Sequence, residues 1–333
     1  DGELVASGSY GEVKIWETRT GRLVADCVGH KDWILSAAFS PDGELLASGD
    51  EGGVVKIWEA KTGRLVADCV SHKGEAKVLS VAFSPDGELL AAGDVYGTVE
   101  VWKARSGERL SYWACDAEEV CTVAFSPNGK LLASEAWGGI TVWEAMTDRL
   151  VLDRLGFPGR LFSIAFSADG ELLASGGDNG VRIWNVRSGQ LLAEFTGHKG
   201  AVLSVAFSPS CELVASRDEK GTVKIWKART AELVAEWRGY SFASIAFSQN
   251  EELLALGSLR GIEIWDVRIS KLVACVGRDE NVSSLAFSPD DELLASGSID
   301  GTVKIWQAGT GELVAECTGH EGVVSSLAFS PDG

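Results

Sequence analysis

No stretch of this chain approaches the roughly 18 to 20 consecutive apolar residues that a helix needs to cross a bilayer. No basic-then-apolar leader opens it, so neither secretion nor membrane insertion has support and a cytoplasmic setting is expected. Basic charge is scarce: 30 Lys and Arg stand against 48 Asp and Glu, a net charge of −18. Such a field repels a phosphate backbone, so nucleic acid is not an expected partner. The plain meaning of the excess acid is solubility; the sharper one is preference for a basic protein partner. Phosphate-cradling loops are missing, since neither GxxxxGK[ST] nor a strand-flanked GxGxxG occurs. The seven cysteines are odd in number and include no CxxC pair, and reduced thiols fit the cytoplasm. Asp1 rather than Met opens the chain, which reads as an excised piece of something longer.

What the chain does have is a repeat. AFSPDG or a near variant occurs eight times, with phenylalanines at Phe39, Phe83, Phe125, Phe166, Phe207, Phe247, Phe287 and Phe329, spaced 40 to 44 residues apart. VKIW or a variant also occurs eight times, carrying Trp16, Trp58, Trp102, Trp143, Trp184, Trp226, Trp265 and Trp306. Two independent anchors sharing one period of about 40 to 45 residues predict four-stranded propeller blades.

Residues 281–318 show one unit. NVSSLAFS, ELLASGS, TVKIWQ and ELVAECT read as four strands separated by the turns PDDE, IDG and AGTG. Gly or Pro interrupts the chain too often for helix. A lone four-stranded sheet exposes both faces, and radial packing against two neighbours covers them. Three turns depart from SPDG, namely Ala168-Asp169-Gly170, Pro209-Ser210-Cys211 and Gln249-Asn250-Glu251, yet strand packing should form those blades regardless.

GH before the inner strand, then AFSPDG, LLASGS, DG and VKIW, recurring in order along the whole chain, resemble the WD40 repeat. The expected fold is therefore all-β: residues 1–333 form one eight-bladed WD40-like β-propeller with four antiparallel strands per blade. The ring is closed by three N-terminal strands plus a C-terminal innermost strand, blade 1 combining residues 1–29 and 320–333. No oligomer is needed to stabilise a closed ring, so a monomer is expected.

The resemblance also implies a structural tetrad in each good blade, joining a His of the GH turn, a Ser of the second strand, an Asp of the next turn and the third-strand Trp. Matched residue by residue, His30 goes with Ser48 and Trp58 but meets Gly52 at the Asp position, and His198 with Ser216 and Trp226 but meets Lys220. His320 goes with Ser7 and Trp16 but meets Tyr10, while His72 faces Ala92 and Trp102. On this reading no blade has a full tetrad, and the eight tryptophans and four histidines are structural rather than catalytic.

Cys27/His30, Cys69/His72 and Cys317/His320 have Cys-x-x-His spacing, but each pair ends the outer strand of a different blade, and zinc needs four converging ligands. No metal, cofactor or catalytic residue is expected. Cys27, Cys69, Cys275 and Cys317 read as one repeated, buried strand position. Trp113 and Trp237 on outer strands read as covers for the blade edge.

The residues that break the repeat collect in the turns before the inner strands and between second and third strands, which open on one face. Trp33, Tyr96, Trp137, Phe157, Tyr240 and Phe242 stand there, with Asp32, Arg160, Lys220, Arg260, Arg278 and Asp279 around them. Aromatics ringed by charge have the anchor-and-rim composition of protein interfaces, though local packing between blades would use the same rings. The resemblance implies that this face is the docking surface, whereas the opposite face of PDGE and TGR turns reads as solvated. The expected function is a non-catalytic scaffold for a protein or peptide, within a larger signalling protein. The alternative, a small-molecule- or metal-binding propeller using the central channel, is disfavoured by inner strands that carry hydroxyls and no carboxylate ring.

Overall fold

Runs such as Val55-Lys56-Ile57-Trp58 alternate in polarity, yet all four residues are buried. Burial on both sides is what a strand in a radially packed blade requires. A computed structural model describes residues 3–70, 76–114, 120, 122–136, 139–147, 149–156, 159–238, 244–258, 260–267, 271–278 and 280–331.

The strands form six four-stranded antiparallel sheets and one of seven strands. The seven-stranded sheet is two blades joined through a single continuous strand, Leu23–Phe39. Its first part pairs with Tyr10–Glu17 as the outer strand of blade 1, and its last part pairs with Leu45–Asp50 as the innermost strand of blade 2. Blades 3 to 8 run over 78–114, 123–156, 161–195, 202–238, 245–276 and 282–317. Eight blades result, as the two anchors predict. Ser326–Phe329 pairs antiparallel with Leu4–Gly8, so the C-terminal strand completes the N-terminal blade.

Hydroxyls tie neighbouring innermost strands together around the channel. Val81 N–H donates to Ser36 Oγ (3.1 Å), Val123 N–H to Ser80 Oγ (3.2 Å) and Val205 N–H to Ser163 Oγ (3.2 Å). Ala37 N–H donates to Ser326 Oγ (3.0 Å), which carries the same link across the closure.

The core is divided among the blade interfaces. In each of eight buried clusters, the third-strand Trp of one blade packs against the outer strand of the blade before it. The outer-strand residue is Cys27 for Trp58, Cys69 for Trp102 and Cys317 for Trp16. Elsewhere it is Leu155, Phe195 or Val276. Trp113 and Trp237 hold the same position, so they do not cover the blade edge as expected. Trp113 stacks on Trp143 at 5.0 Å, and Trp237 lies 5.4 Å from Trp265. Burial pushes the Cys27, Cys69 and Cys317 thiols up to about 12. Cys275 departs from the expectation: Val276 takes the interior position opposite Ile262, while Cys275 pairs with Glu263 and is exposed.

One glycine position on the second strand is set by close approach. A Cβ on Gly49 would lie 2.4 Å from Val78, and one on Gly297 2.5 Å from Val324. Glu135 and Arg217 occupy this position in blades 4 and 6, and both are buried. The three blades with irregular lower turns form as expected, and Cys211 and Glu251 there, like Asp291 in blade 8, take the left-handed conformation that glycine has elsewhere (φ 61 to 63).

Candidate partner-binding face

Two complete tetrads are present, which corrects the expectation that there are none. In blade 2, Trp58 Nε1–H donates to Ser48 Oγ (2.8 Å) and Ser48 Oγ lies 2.7 Å from His30 Nε2. His30 Nδ1 meets Asp50 Oδ2 at 2.6 Å. Blade 6 repeats the chain through Trp226, Ser216, His198 and Asp218, at 2.8, 2.7 and 3.1 Å. The acid is the last residue of the second strand rather than Gly52 or Lys220 in the following turn. Burial alone would raise the Asp50 carboxyl, but hydrogen bonds from His30 and the Val54 N–H hold it below the usual range. Desolvation lowers His198 despite Asp218 beside it.

Blade 1 has an incomplete version. His320 Nε2 lies 2.6 Å from Ser7 Oγ, which accepts from Trp16 Nε1–H at 2.7 Å. Ser9 stands where blades 2 and 6 have the acid, and the buried Ser9 Oγ and His320 Nδ1 have no hydrogen-bond partner among the described residues. Trp184 and Trp306 bond to Ser175 and Ser296, and Trp265 Nε1–H goes instead to Glu263.

These networks resemble a Ser–His–Asp relay, but their chemistry is closed off. Ser48 and Ser216 have no exposed surface and each hydroxyl is held between an indole and an imidazole. A nucleophile must reach a substrate carbonyl, and these cannot. Both His30 ring nitrogens are occupied and Cys27 is packed on Trp58, so that Cys-x-x-His pair is unavailable to a metal. Among the described residues, no three His, Cys, Asp or Glu come together as metal ligands. His72 lies outside the described residues.

The upper face carries the interruptions. Tyr96 sits in the turn between second and third strands of blade 3, 53% exposed, its N–H bonded to Asp94 Oδ1 (2.9 Å). Trp33 enters blade 2 half-buried, its ring 5.4 Å from Tyr10 in an edge-to-face arrangement. Tyr10, 54% exposed, belongs to this face as well as standing at the expected acid position; its place in blade 1 between second and third strands, just before a glycine as Tyr96 is in blade 3, is the signal for it in the sequence. The Asp32 carboxylate lies against Gly52.

Arg160 bridges to Asp178 through its backbone N–H (2.9 Å) and lies over the Phe162 ring at 5.3 Å. It borders a polar cavity of about 500 Å³ that includes His198, Lys199 and Glu219. Lys220 donates to the Lys199 carbonyl (2.7 Å), and Arg260 and Arg278 are exposed on blades 7 and 8. The rings and charges thus stand on several blades around one rim. Trp137, Phe157, Tyr240, Phe242 and Asp279 lie outside the described residues.

The geometry defines a closed β-propeller whose polar networks are structural. The family model for the WD domain, G-beta repeat, matches residues 21–59, 63–103, 109–144, 155–185, 189–227, 270–307 and 311–333, and the chain belongs to the WD40 family. Residues 228–269 fall between matches, where Leu256 replaces the tetrad Ser and the lower turn reads Gln249-Asn250-Glu251, yet the blade forms. Among solved structures, the computationally designed Ika8 protein is similar with a TM-score of 0.81 and 28% identity, covering 92% of this chain and 93% of that one.

Among curated relatives, the periodic tryptophan protein 2 homolog of Neurospora crassa is 44% identical over 50 residues, 14% of this chain and 6% of its own length. The small ribosomal subunit protein RACK1 of Neurospora crassa and the MST50-interacting protein 11 of Pyricularia oryzae are each 42% identical over 50 residues. Those matches span 15% of this chain and 16% of each relative.

Proposed function

We propose that this chain is a non-catalytic scaffold whose upper face docks a protein or peptide. One observation carries the reading. The upper turns hold Tyr10 and Tyr96 more than half exposed, while the groups that could do chemistry are buried in blade-locking networks. Aromatic rings at low conformational cost are the usual anchors of protein interfaces. Membership of a family that generally scaffolds proteins supports the reading, as does the local likeness to RACK1 and to a protein named for its interaction with MST50. The scaffold acts as a monomer in the cytoplasm, as a sensor or partner-binding part of a larger signalling protein. The closed ring and the five thiols free among the described residues support the first two points.

The test is site-specific photo-crosslinking in cell extract, with the crosslinker at Tyr96 on the upper face or at Ser106 on the lower. Discrete protein adducts from Tyr96 that are missing from Ser106 are expected. Equal adducts from both positions, or none from Tyr96, would overturn the reading.

A further inference from the structure

We infer that the seam where blades 8, 1 and 2 meet on the upper face takes an arginine or lysine side chain of a basic peptide, held by Tyr10 and Trp33 and drawn in by Asp32 and Glu321. The inference rests on the docking role of that face and names the chemistry of its partner.

The seat is built from three distant pieces of chain. Tyr10 is presented by a short turn in which Gly11 adopts φ 71° and Ser9 N–H closes on the Glu12 carbonyl (3.0 Å). Trp33 pairs with it across the sheet, and the rings meet at 72°. Gly322 belongs to the C-terminal segment, and a Cβ there would lie 3.0 Å from the Trp33 ring, so glycine lets the indole settle. Ring closure itself therefore brings the two aromatics together, which lowers the ordering cost of binding.

Charge selects the ligand. Neither Asp32 nor Glu321 has an ion-pair partner among the described residues, and Asp300 lies in the adjoining turn, where the Gly301 position abuts the His320 and Gly322 carbonyls. Lys77 neutralises Glu51, and among the described residues exposed Lys31 and, on the neighbouring blade 8 turn, exposed Arg278 oppose the three acids Asp32, Glu321 and Asp300. The balance stays negative. Ring faces on turns that also carry these carboxylates attract a guanidinium or ammonium and repel carboxylate and phosphate, which favours a basic peptide over an acidic or phosphorylated one.

The probe is a fluorescent peptide of four Arg-Gly-Ser repeats, with Glu-Gly-Ser repeats as the comparison, followed by anisotropy from about 50 to about 300 mM salt. The arginine peptide is expected to bind, with affinity falling as salt rises, and the glutamate peptide is not. Asp32→Asn with Glu321→Gln should weaken binding roughly tenfold, and Tyr10→Ala should do likewise. Glu88→Gln with Glu212→Gln, on the lower face, should leave it unchanged. Equal weakening by the lower-face pair would show a general field effect and overturn the seam, as would absence of binding. A crosslinker on the peptide separates the two levels: adducts at the Tyr96 turn alone overturn the seam but keep the docking face, whereas adducts confined to the lower face overturn both.

Discussion

Trp113 of blade 3 lies flat on Trp143 of blade 4, ring centroids 5.0 Å apart and planes within 9° of parallel. The equivalent contact elsewhere is Cys27 on Trp58 or Cys69 on Trp102, so one outer-strand position accepts side chains from a thiol to an indole. The larger ring buries more apolar area but leaves its Nε1–H buried without a partner among the described residues. Trp113→Phe keeps the stack and removes that orphan donor, so it should be neutral or slightly stabilising. Trp113→Ala should cost about 3 to 5 kcal/mol by opening a cavity between blades. Urea unfolding of both variants checks the contrast; a Phe variant as damaged as the Ala variant would show that the indole nitrogen matters.

Blade 1 invites repair. Ser9 stands where Asp50 and Asp218 stand in the complete tetrads, and the acid that His320 Nδ1 faces among the described residues is Glu12, 3.7 Å away. Ser9→Asp should give His320 its missing acceptor and raise stability by about 1 kcal/mol. Conversely Asp50→Ala, which strands His30 Nδ1, should cost about 1 to 3 kcal/mol. Thermal melts of the two variants beside wild type are sufficient, and a loss on Ser9→Asp would mean that Glu12 already fills the role.

The period, the blade count and the shared closing blade were legible because they depend on recurrence, which any single odd residue leaves intact. The tetrad acid was misplaced because it was sought in the turn. Ser48 and Asp50 are two apart on a strand, hence on one face, and alternation alone puts both beside the imidazole. Cys275 was misassigned through a one-residue register shift, which turns a side chain from the interior to solvent. Trp113 and Trp237 looked like rim residues because sequence does not say which face of an outer strand meets the next blade. On the candidate site, Trp33 and Tyr96 were found as breaks in the repeat. Tyr10 was passed over because its meaning depends on Trp33, 23 positions away, facing it across the sheet.

Two left-handed residues should answer oppositely to glycine. Ala231 has φ 58° and no side-chain hydrogen bond, so Ala231→Gly should stabilise by about 1 kcal/mol. Asp291 has φ 61°, but its carboxylate accepts the Gln249 and Asn250 N–H groups of the preceding blade at 2.5 and 2.7 Å. Asp291→Gly relieves the backbone but loses that clasp, and should gain nothing or destabilise. The melting temperatures decide; a gain at Asp291 equal to that at Ala231 would mean the clasp contributes little in solution.

Glu135 should give the ring a pH dependence of its own. It replaces the close-approach glycine, it is 1% exposed, and among the described residues its side-chain partner is the Thr122 hydroxyl at 3.4 Å, with no partner there for Oε2. Burial pushes its carboxyl up to about 8 from an ordinary 4.5. Between those values the folded chain keeps a proton that the unfolded chain has lost, so stability falls as pH rises. The slope approaches about 1.4 kcal/mol per pH unit and flattens above the folded value. The tetrad acids act in the opposite sense and elsewhere on the scale, since Asp50 and Asp218 are held low and lose their contribution only as pH falls through the acid range. Comparing wild type with Glu135→Gln isolates the effect: unfolding free energies from pH 5 to 9 should diverge, the variant staying flatter. Parallel curves would mean that Glu135 is ionised in the folded ring, with a counter-charge or water reaching it between blades 4 and 5.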